Sequence, residues 1–500
     1  MRIALLAVVF ALAPLVAAPS NAPASCASLA AMHLPDTAIT LADSTSAGGL
    51  SLPGRAGAAV RNLPAFCRVT ATVKPTSDSD IKVEVWLPAS GWNGKFEAVG
   101  NGGWGGSISY ADMARALERG YATASTDTGH SGPGAAFALG HPEKLVDYAY
   151  RSEHQMTVIA KALIKAFYGD LPRYSYWNSC SSGGKQGLTE AQRYPADYDG
   201  IIAGAPANYM THLQAGRLWI AQAVHKDPAS YIPPEKYPLI HNAALAACDA
   251  LDGVKDGLIE NPPVCHFDPA VLECKGADGP MCLTAPQVEA AKKIYAGATN
   301  PSTGEQIFPG MEPGSELSWA RLAGPQPISL ATDTFKYAIF QNPDWNYLTL
   351  NFDSDIAKAD KVDGGVNNAI DPNLAPFFSH GKLLMYHGWS DQQIPPRGTI
   401  NYFTSVVKAV GQQEAAQSMR LFMVPGMGHC GGGDGPNSFD MLGAMEQWIE
   451  AGKPPERILA SHLTQGTVDR TRPLCPYPQV AKYKGSGSID DASNFTCQLP

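Results

Sequence analysis

The fold of this chain is decided by a short stretch that reads Asn-Ser-Cys-Ser-Ser-Gly-Gly, residues 178–184. The residues before it, 174–178, are predicted to form a strand, and residues 184–194 a helix. A tight turn between a strand and a helix presents one side chain outward and needs small neighbours, as in a nucleophile elbow. Ser181 is therefore the candidate nucleophile, although Ser179 stands where the usual Gly-x-Ser-x-Gly pattern has glycine. For this motif alone, a Ser/Gly-rich turn without a chemical role is the alternative.

A base and an acid can be assigned by the same logic. A serine nucleophile needs a base, and the base needs a carboxylate that orients it. In α/β-hydrolase order the acid and then the histidine follow the serine, each in a loop after a strand. Asp391 and His429 each follow a predicted strand, whereas His130 and His387 are expected to be structural or pocket-lining. The order Ser181, Asp391, His429 predicts a serine hydrolase.

A glycine-rich loop at 100–106 provides the second half of the predicted site. It formally matches Gly-x-Gly-x-x-Gly, but no acidic residue ends a following strand at the spacing that a dinucleotide site needs. The better interpretation is an oxyanion loop, in which the amide of Gly102 or Gly103 donates together with the amide of Ser182. Trp104 would then line the pocket for the acyl group.

The predicted elements around these loops indicate one α/β domain interrupted by a lid. Strands and helices alternate in the first 205 residues and again near the C-terminus, which is typical of a parallel sheet covered on both faces. Between 206 and 370 this rhythm is lost, in a stretch with four cysteines and scattered aromatic residues. We therefore predict an α/β-hydrolase core formed by 25–205 and 371–500, with a disulfide-rich lid at 206–370.

The N-terminus and the composition restrict where the protein works. Residues 1–24 have a basic start, an apolar run and small residues before Ala18 and Ala24, which predicts a signal peptide cleaved after one of them. The chain has 500 residues, 45% of them hydrophobic, and a net charge of −9 without a basic run. These values predict a large core and argue against a nucleic-acid partner. No later stretch reaches the roughly 18 apolar residues of a membrane span. We expect a secreted or periplasmic protein with no obligate protein partner.

Ten cysteines follow the predicted signal peptide. In an oxidising compartment they predict disulfides, and the absence of a Cys-x-x-Cys pair argues against zinc. Spacing alone favours only two local pairs, Cys274 with Cys282 and Cys475 with Cys497, and leaves the other pairings open.

An acidic loop in the predicted lid is a candidate cation site. Asp249, Asp252 and Asp256 carry carboxylates at i, i+3 and i+7, and glycines let the chain bend between them. Together with the carbonyl oxygens of Val254 and Leu258 they would suit a hard cation such as Ca²⁺, in a structural role. A solvated acidic turn is the alternative.

With these motifs the chain resembles the tannase and feruloyl esterase family, which includes bacterial mono(2-hydroxyethyl) terephthalate hydrolases. The resemblance runs from about residue 26 to residue 497, and its most specific marks are the pairs Cys180-Ser181 and His429-Cys430. It implies a disulfide between the two cysteines and a lid calcium site in the acidic loop. Lys185 departs from the family pattern, as does Ser179. For the remaining cysteines the resemblance implies the pairs Cys26–Cys67, Cys248–Cys265, Cys274–Cys282 and Cys475–Cys497.

The resemblance also implies an activity, which is the hydrolysis of esters of phenolic acids such as ferulate, coumarate or gallate. Aromatic residues of the lid would hold the acid. A terephthalate-type ester hydrolase is the alternative activity. Its substrate carries a second carboxylate that an arginine would bind, and the predicted lid contains only Arg217 and Arg321. An alternative of another class is an exported protein that binds phenolic esters without turnover.

Overall fold

The computed structural model describes residues 25–51 and 59–500. The predicted signal peptide lies outside the described residues. No helix within these two ranges is long and apolar enough to cross a bilayer.

Seventeen strands are present in the described chain, and nine of them form one central sheet. They are β1 (Thr37–Thr45), β2 (Gly48–Ser51), β3 (Ala59–Leu63), β4 (Phe66–Val73), β5 (Ile81–Pro88), β6 (Lys95–Ala98), β7 (Ala122–Thr126), β8 (Tyr174–Cys180), β9 (Gly200–Gly204), β10 (Ala298–Thr299), β11 (Gln306–Phe308), β12 (Lys382–Gly388), β13 (Met419–Val424), β14 (Ile458–Thr464), β15 (Thr467–Leu474), β16 (Val480–Tyr483) and β17 (Phe495–Gln498). The order across the central sheet is β1-β4-β5-β7-β6-β8-β9-β12-β13.

The direction of the strands divides the central sheet in two. From β7 to β13 every neighbouring pair is parallel, whereas β1, β4, β5 and β7 pair antiparallel. The α/β prediction is confirmed, but the expectation of a parallel sheet is wrong at this edge. Antiparallel neighbours can be joined by short turns, so no helix was needed between β4 and β5.

The helices lie on both faces of the sheet and in the insertion between β9 and β12. They are α1 (Tyr110–Glu118), α2 (Pro142–Val146), α3 (Ser152–Tyr168), α4 (Ser182–Arg193), α5 (Met210–His225), α6 (Tyr237–Cys248), α7 (Ala285–Ala296), α8 (Ala320–Ala323), α9 (Ser329–Asp333), α10 (Ser354–Asp363), α11 (Ala375–Phe378), α12 (Arg397–Val410), α13 (Gln412–Ser418) and α14 (Met441–Ala451).

Strand β8 shows how both faces of the sheet are covered. Because successive side chains of a strand point to opposite faces, Trp177 packs in a core cluster with Leu188 of α4, and Tyr176 packs in another with Met445 of α14. The parallel strands are therefore buried on both sides, as is typical of such sheets.

The insertion between β9 and β12 has a hydrophobic core of its own. Every buried residue of this cluster lies between Ala215 and Ala359, and helices α5, α7 and α10 contribute to it. The lid predicted at 206–370 overlaps this insertion and stays a prediction.

Five disulfides link all ten cysteines. Four are local in the chain, and one, Cys180–Cys430, spans 250 residues and the whole insertion between β9 and β12. The pairs are the same as those implied by the family resemblance: Cys26–Cys67, Cys180–Cys430, Cys248–Cys265, Cys274–Cys282 and Cys475–Cys497.

Candidate active site

Ser181 occupies the turn between β8 and α4 with an unusual backbone conformation. Its φ is 65° and its ψ is −125°, a region that non-glycine residues adopt only when the surrounding structure holds them there. Two hydrogen bonds do so. The Ser181 amide donates to the Gly204 carbonyl (2.9 Å), and the Ala207 amide donates to the Ser181 carbonyl (3.1 Å). The turn therefore presents the Ser181 side chain at the carboxyl ends of the parallel strands.

The departure of Ser179 from the expected pattern is accommodated by a glycine four residues later. A Cβ placed on Gly183 would lie 1.9 Å from Ser179 Oγ, so the hydroxyl fills the space that a larger residue at 183 would need. A Cβ on Gly184 would lie 2.4 Å from the Gly204 carbonyl oxygen. The two glycines thus permit both the serine at 179 and the close approach of β9.

Ser181, His429 and Asp391 form a continuous hydrogen-bonded chain. His429 Nε2 lies 2.9 Å from Ser181 Oγ, and His429 Nδ1 lies 2.7 Å from Asp391 Oδ2. If Nδ1–H donates to the carboxylate, Nε2 is left to accept the serine proton, which is the tautomer that a general base needs. The structure thus brings the three residues selected from the sequence together.

Asp391 is fully buried and uses both of its oxygens. Oδ1 accepts the amides of Gln393 (2.7 Å) and Ile394 (2.9 Å), and Oδ2 accepts from two imidazoles, those of His429 and His387. Burial alone would raise the pKa of Asp391, but the charge of His429 and the hydrogen bonds from both imidazoles outweigh it. They hold the pKa well below its usual range, so the carboxylate stays ionised beside the base.

The part played by His387 was missed in the sequence, where only a structural or pocket-lining role is predicted. Its Nε2 lies 3.1 Å from Asp391 Oδ2, and its Nδ1 lies 2.7 Å from Thr399 Oγ1. His387 Nε2 also lies 2.9 Å from the Ile394 carbonyl oxygen. The ring therefore helps to position the acid through the same oxygen, Oδ2, that contacts the base. The only signal in the sequence is the interval of four residues between His387 and Asp391.

The loop that carries His429 is tied to the nucleophile turn covalently. Cys180 precedes Ser181, Cys430 follows His429, and the disulfide between the cysteines sets their Cα atoms 6.0 Å apart. Gln392 adds a noncovalent tie, because its Oε1 accepts the His429 amide at 3.0 Å. The disulfide and the Gln392 hydrogen bond thus both restrict the movement of the His429 loop relative to the Ser181 turn.

The glycine-rich loop lies against the same cavity. Gly102 and Gly103 line it beside Ser181, and Tyr148 Oη donates to the Gly103 carbonyl at 2.7 Å, which fixes the loop. Within the described chain, the amides of Gly102, Gly103 and Ser182 donate to no other residue. These three donors are therefore free to bind a ligand oxygen.

The cavity above Ser181 has a volume of about 910 Å³, and its lining residues come from the insertion, the glycine-rich loop, the sheet and helices α1 and α14. We call the part that is lined near the insertion the lid arm, and the part that is lined near helices α1 and α14 the core arm. The lid arm is lined by Trp104, Pro133, Arg321, Ser329 and Leu330, and the core arm by Glu97, Asn178, Arg119, Tyr386 and Phe439.

The aromatic residues of the lid do not line this cavity in the described chain, so the expectation that they hold the acid is wrong. Trp319 and Phe335 are buried in the lid's own core, and Trp219, Trp345 and Tyr347 pack against it. Large aromatic side chains were needed there because the insertion forms a separate core. Trp104 of the glycine-rich loop borders the lid arm, but its indole ring is fully buried against Phe137 and Tyr148.

The acidic loop follows helix α6 and is held by its own carboxylates. Both oxygens of Asp249 accept loop amides, those of Asp256 (3.0 Å) and Gly257 (3.1 Å), and Asp252 accepts the Val254 amide at 2.9 Å. Asp256 forms a buried ion pair with Arg472 of β15. The three carboxylates do not form a group whose ligating oxygens all lie within 4.8 Å of one another, so a cation would have to draw them closer.

The donors of this loop nevertheless fit a hard cation. They are all oxygens, which is the preference of Ca²⁺. The three aspartates face one buried cationic side chain, Arg472, and a bound cation would balance the remaining negative charge.

Comparisons with known proteins identify the family of the chain. The model of a family described as tannase and feruloyl esterase matches residues 67–498. The chain belongs to this family. The match includes Ser181, Asp391 and His429, the acidic loop and both arms of the cavity.

Relatives of the family are similar to the chain over almost its whole length. An uncharacterized esterase of Xanthomonas campestris is 41% identical over 96% of this chain and 92% of the relative. A probable feruloyl esterase B-2 of Aspergillus terreus is 35% identical over 93% of each chain. The crystal structure of feruloyl esterase B from Aspergillus oryzae has a TM-score of 0.89 at 31% identity, covering 93% of this chain and 98% of that one. These matches support a carboxylic ester hydrolase.

Proposed function

We propose that the protein is a secreted serine esterase that hydrolyses esters of phenolic acids such as ferulate, coumarate or gallate. The observation that carries the proposal is the hydrogen-bonded chain of Ser181, His429 and Asp391 in a member of this family. The order of the three residues and the insertion between them favour an α/β-hydrolase core with a lid at 206–370.

The proposed reaction proceeds through an acyl-enzyme. Ser181 Oγ attacks the ester carbonyl while His429 Nε2 takes its proton, and His429 then returns that proton to the leaving alcohol. Asp391 holds the tautomer and stabilises the imidazolium. The amides of Ser182 and of Gly102 or Gly103 bind the oxyanion, and water then releases the acid by the same steps.

The lid arm suits the acid half of the ester. Leu330 and Pro133 provide an apolar wall, with the buried Trp104 behind it, against which a planar phenolic ring loses contact with water. The experiment that tests the function is the release of free acid from methyl ferulate, methyl coumarate and methyl gallate. We expect turnover of at least one ester. Failure of the correctly disulfide-bonded protein to hydrolyse any of them would overturn the proposal. Tight binding without labelling by a serine-directed phosphonate would favour the non-catalytic binding protein.

A terephthalate half-ester is the second candidate substrate, because Arg321 lines the lid arm. Its guanidinium is held by Gln393 Oε1 (3.3 Å from both Nε and Nη2), whereas Arg217 is buried and donates to the Gln393 carbonyl. If Arg321 binds a second carboxylate, Arg321→Gln should lower kcat/KM for mono(2-hydroxyethyl) terephthalate by about tenfold or more. The same variant should change kcat/KM for methyl ferulate by less than about twofold. Equal losses on both esters would exclude a carboxylate clamp at this residue.

We also propose that the acidic loop binds one structural Ca²⁺ through Asp249, Asp252 and Asp256 and the carbonyls of Val254 and Leu258. At a free Ca²⁺ concentration of 100 times the Kd, binding would stabilise the folded state by about 3 kcal/mol. Removal of the ion by a chelator should therefore lower Tm. Asp252→Asn should lower Tm in calcium, whereas in chelator, where it only removes one of several crowded charges, Tm should stay the same or rise. If no cation binds, the same variant removes one of several crowded charges, and Tm should stay the same or rise in both buffers.

The proposed location is outside the cytoplasm. Five disulfides persist in an oxidising compartment, and the pattern of residues 1–24 predicts export. A long-range bridge beside the nucleophile is consistent with that location.

A further inference from the structure

The core arm contains a buried carboxyl group that the proposed chemistry does not use. Glu97 lies on β6, is 4% exposed and lines the cavity. Its Oε1 accepts from Asn178 Nδ2 at 3.0 Å, whereas its Oε2 has no hydrogen-bond partner in the described chain. A buried polar atom without a partner is costly, so such an atom on a cavity wall points to a ligand that completes it.

The other charged groups of the core arm are already paired. Arg119 binds Asp440 (3.0 Å) and Glu446 (3.3 Å), which joins the C-terminal end of α1 to α14. Arg115 pairs with Asp112 on α1. Among the charged residues that line the core arm, Glu97 is therefore the one that keeps an unpartnered buried oxygen.

The position of Glu97 relative to Ser181 is set by the sheet. Glu97 pairs with Tyr176 of the adjacent parallel strand β8, and Asn178 is two residues further along the same face. Ser181 follows Asn178 by three residues, which corresponds to about 10 Å along a strand. A methyl group on the ester oxygen would not span this distance, but a chain of several carbons would.

The two halves of an ester leave the carbonyl carbon in different directions, so an acid bound in the lid arm leaves the core arm as the part of the cavity that is available to its alcohol. We propose that the core arm binds the alcohol half of the substrate and that Glu97 recognises a hydroxyl group of a multi-carbon, polyhydroxylated alcohol. This inference rests on the proposed function.

The chemistry of Glu97 suits a hydroxyl partner. Burial raises its pKa to about 7, against the lowering effect of the Asn178 hydrogen bond. Near neutral pH the carboxyl group is therefore available both as an acceptor and as a donor, as is a hydroxyl group. A site built to hydrogen-bond a hydroxyl discriminates strongly against an analogue without it, because the buried group is then left unpaired.

The test compares three esters of one acid, taken from those that the wild type hydrolyses as methyl esters: the methyl, n-hexyl and sorbitol monoesters. The hexyl and sorbitol groups have the same number of carbons and differ in their hydroxyls. For the wild type we expect kcat/KM on the sorbitol ester to exceed that on the hexyl ester by about tenfold. Glu97→Leu should lower kcat/KM on the sorbitol ester by about tenfold and raise it on the hexyl ester, with the methyl ester changed by less than about twofold.

Glu97→Gln is the matched control, because its amide oxygen can still accept from Asn178 while its NH₂ group faces the core arm. It should keep most of the preference for the sorbitol ester. Equal losses on all three esters would indicate a merely structural residue and overturn the inference, as would a loss confined to the methyl ester. If the wild type hydrolyses no methyl ester, the proposed function fails and the inference with it. An unchanged ratio in an active enzyme overturns the inference alone.

Discussion

Replacing Ser181 by alanine should lower kcat/KM for any hydrolysed ester by about 10⁴- to 10⁶-fold, while Tm changes little. The reason is that Ser181 Oγ is the atom proposed to form the bond to the acyl carbon, and His429 Nε2 lies 2.9 Å from it. Alanine keeps the Cβ and the backbone of the turn, so the loss should be chemical. The measurement is single-turnover and steady-state release of the acid from the preferred methyl ester.

The control for Ser181→Ala is the pair of variants His429→Ala and Ser181→Ala/His429→Ala. Groups that act as one unit give losses that do not add, so the double variant should be about as inactive as either single variant. Additive losses would mean that the two side chains act independently. Activity within about tenfold of wild type in Ser181→Ala would remove Ser181 from the mechanism, whatever the family relationship.

Asp391→Asn should lower kcat by about 10⁴-fold, the second largest effect that we expect. Two imidazoles, those of His429 and His387, approach the same oxygen of Asp391. An amide NH₂ at that position would face two N–H donors, so His429 would have to adopt the tautomer that cannot accept the serine proton. The measurement is kcat on the preferred ester, with near-ultraviolet circular dichroism to verify the fold.

His387→Gln is the matched variant for Asp391→Asn. It removes the second imidazole from Asp391 and leaves the His429 hydrogen bond intact, so kcat should fall by only about tenfold. A loss as large as that of Asp391→Asn would mean that His387 is indispensable for the orientation of the acid. A loss below about tenfold in Asp391→Asn would contradict its role as the partner of the base.

Residues of the site that follow a single strand could be predicted from the sequence. Ser181, Asp391 and His429 each stand just after a buried strand, and the carboxyl ends of parallel strands meet at one edge of the sheet. Local pattern and chain order were therefore sufficient to select them.

Features that depend on the order of strands in the sheet could not be predicted in this way. Glu97 and Asn178 are 81 residues apart and meet only because β6 lies beside β8. The antiparallel edge formed by β1 and β4 was missed because short turns between strands leave no helical pattern to detect. The prediction that the aromatic residues of the lid line the cavity was wrong for a related reason. The sequence does not distinguish a residue of the lid core from one that lines a cavity.

The Cys180–Cys430 bridge has a consequence for how the molecule responds to proteases. The described chain has one disulfide that crosses the lid, and the other four close within the N-terminal part, the lid or the C-terminal part. A cut in an exposed lid loop would therefore leave two fragments joined beside Ser181 and His429, with the nucleophile on one and the base on the other. In denaturing gel electrophoresis such a nicked enzyme would migrate as two bands only after reduction. Without reduction, the bridge would keep Ser181 and His429 next to each other although the backbone between them is cut.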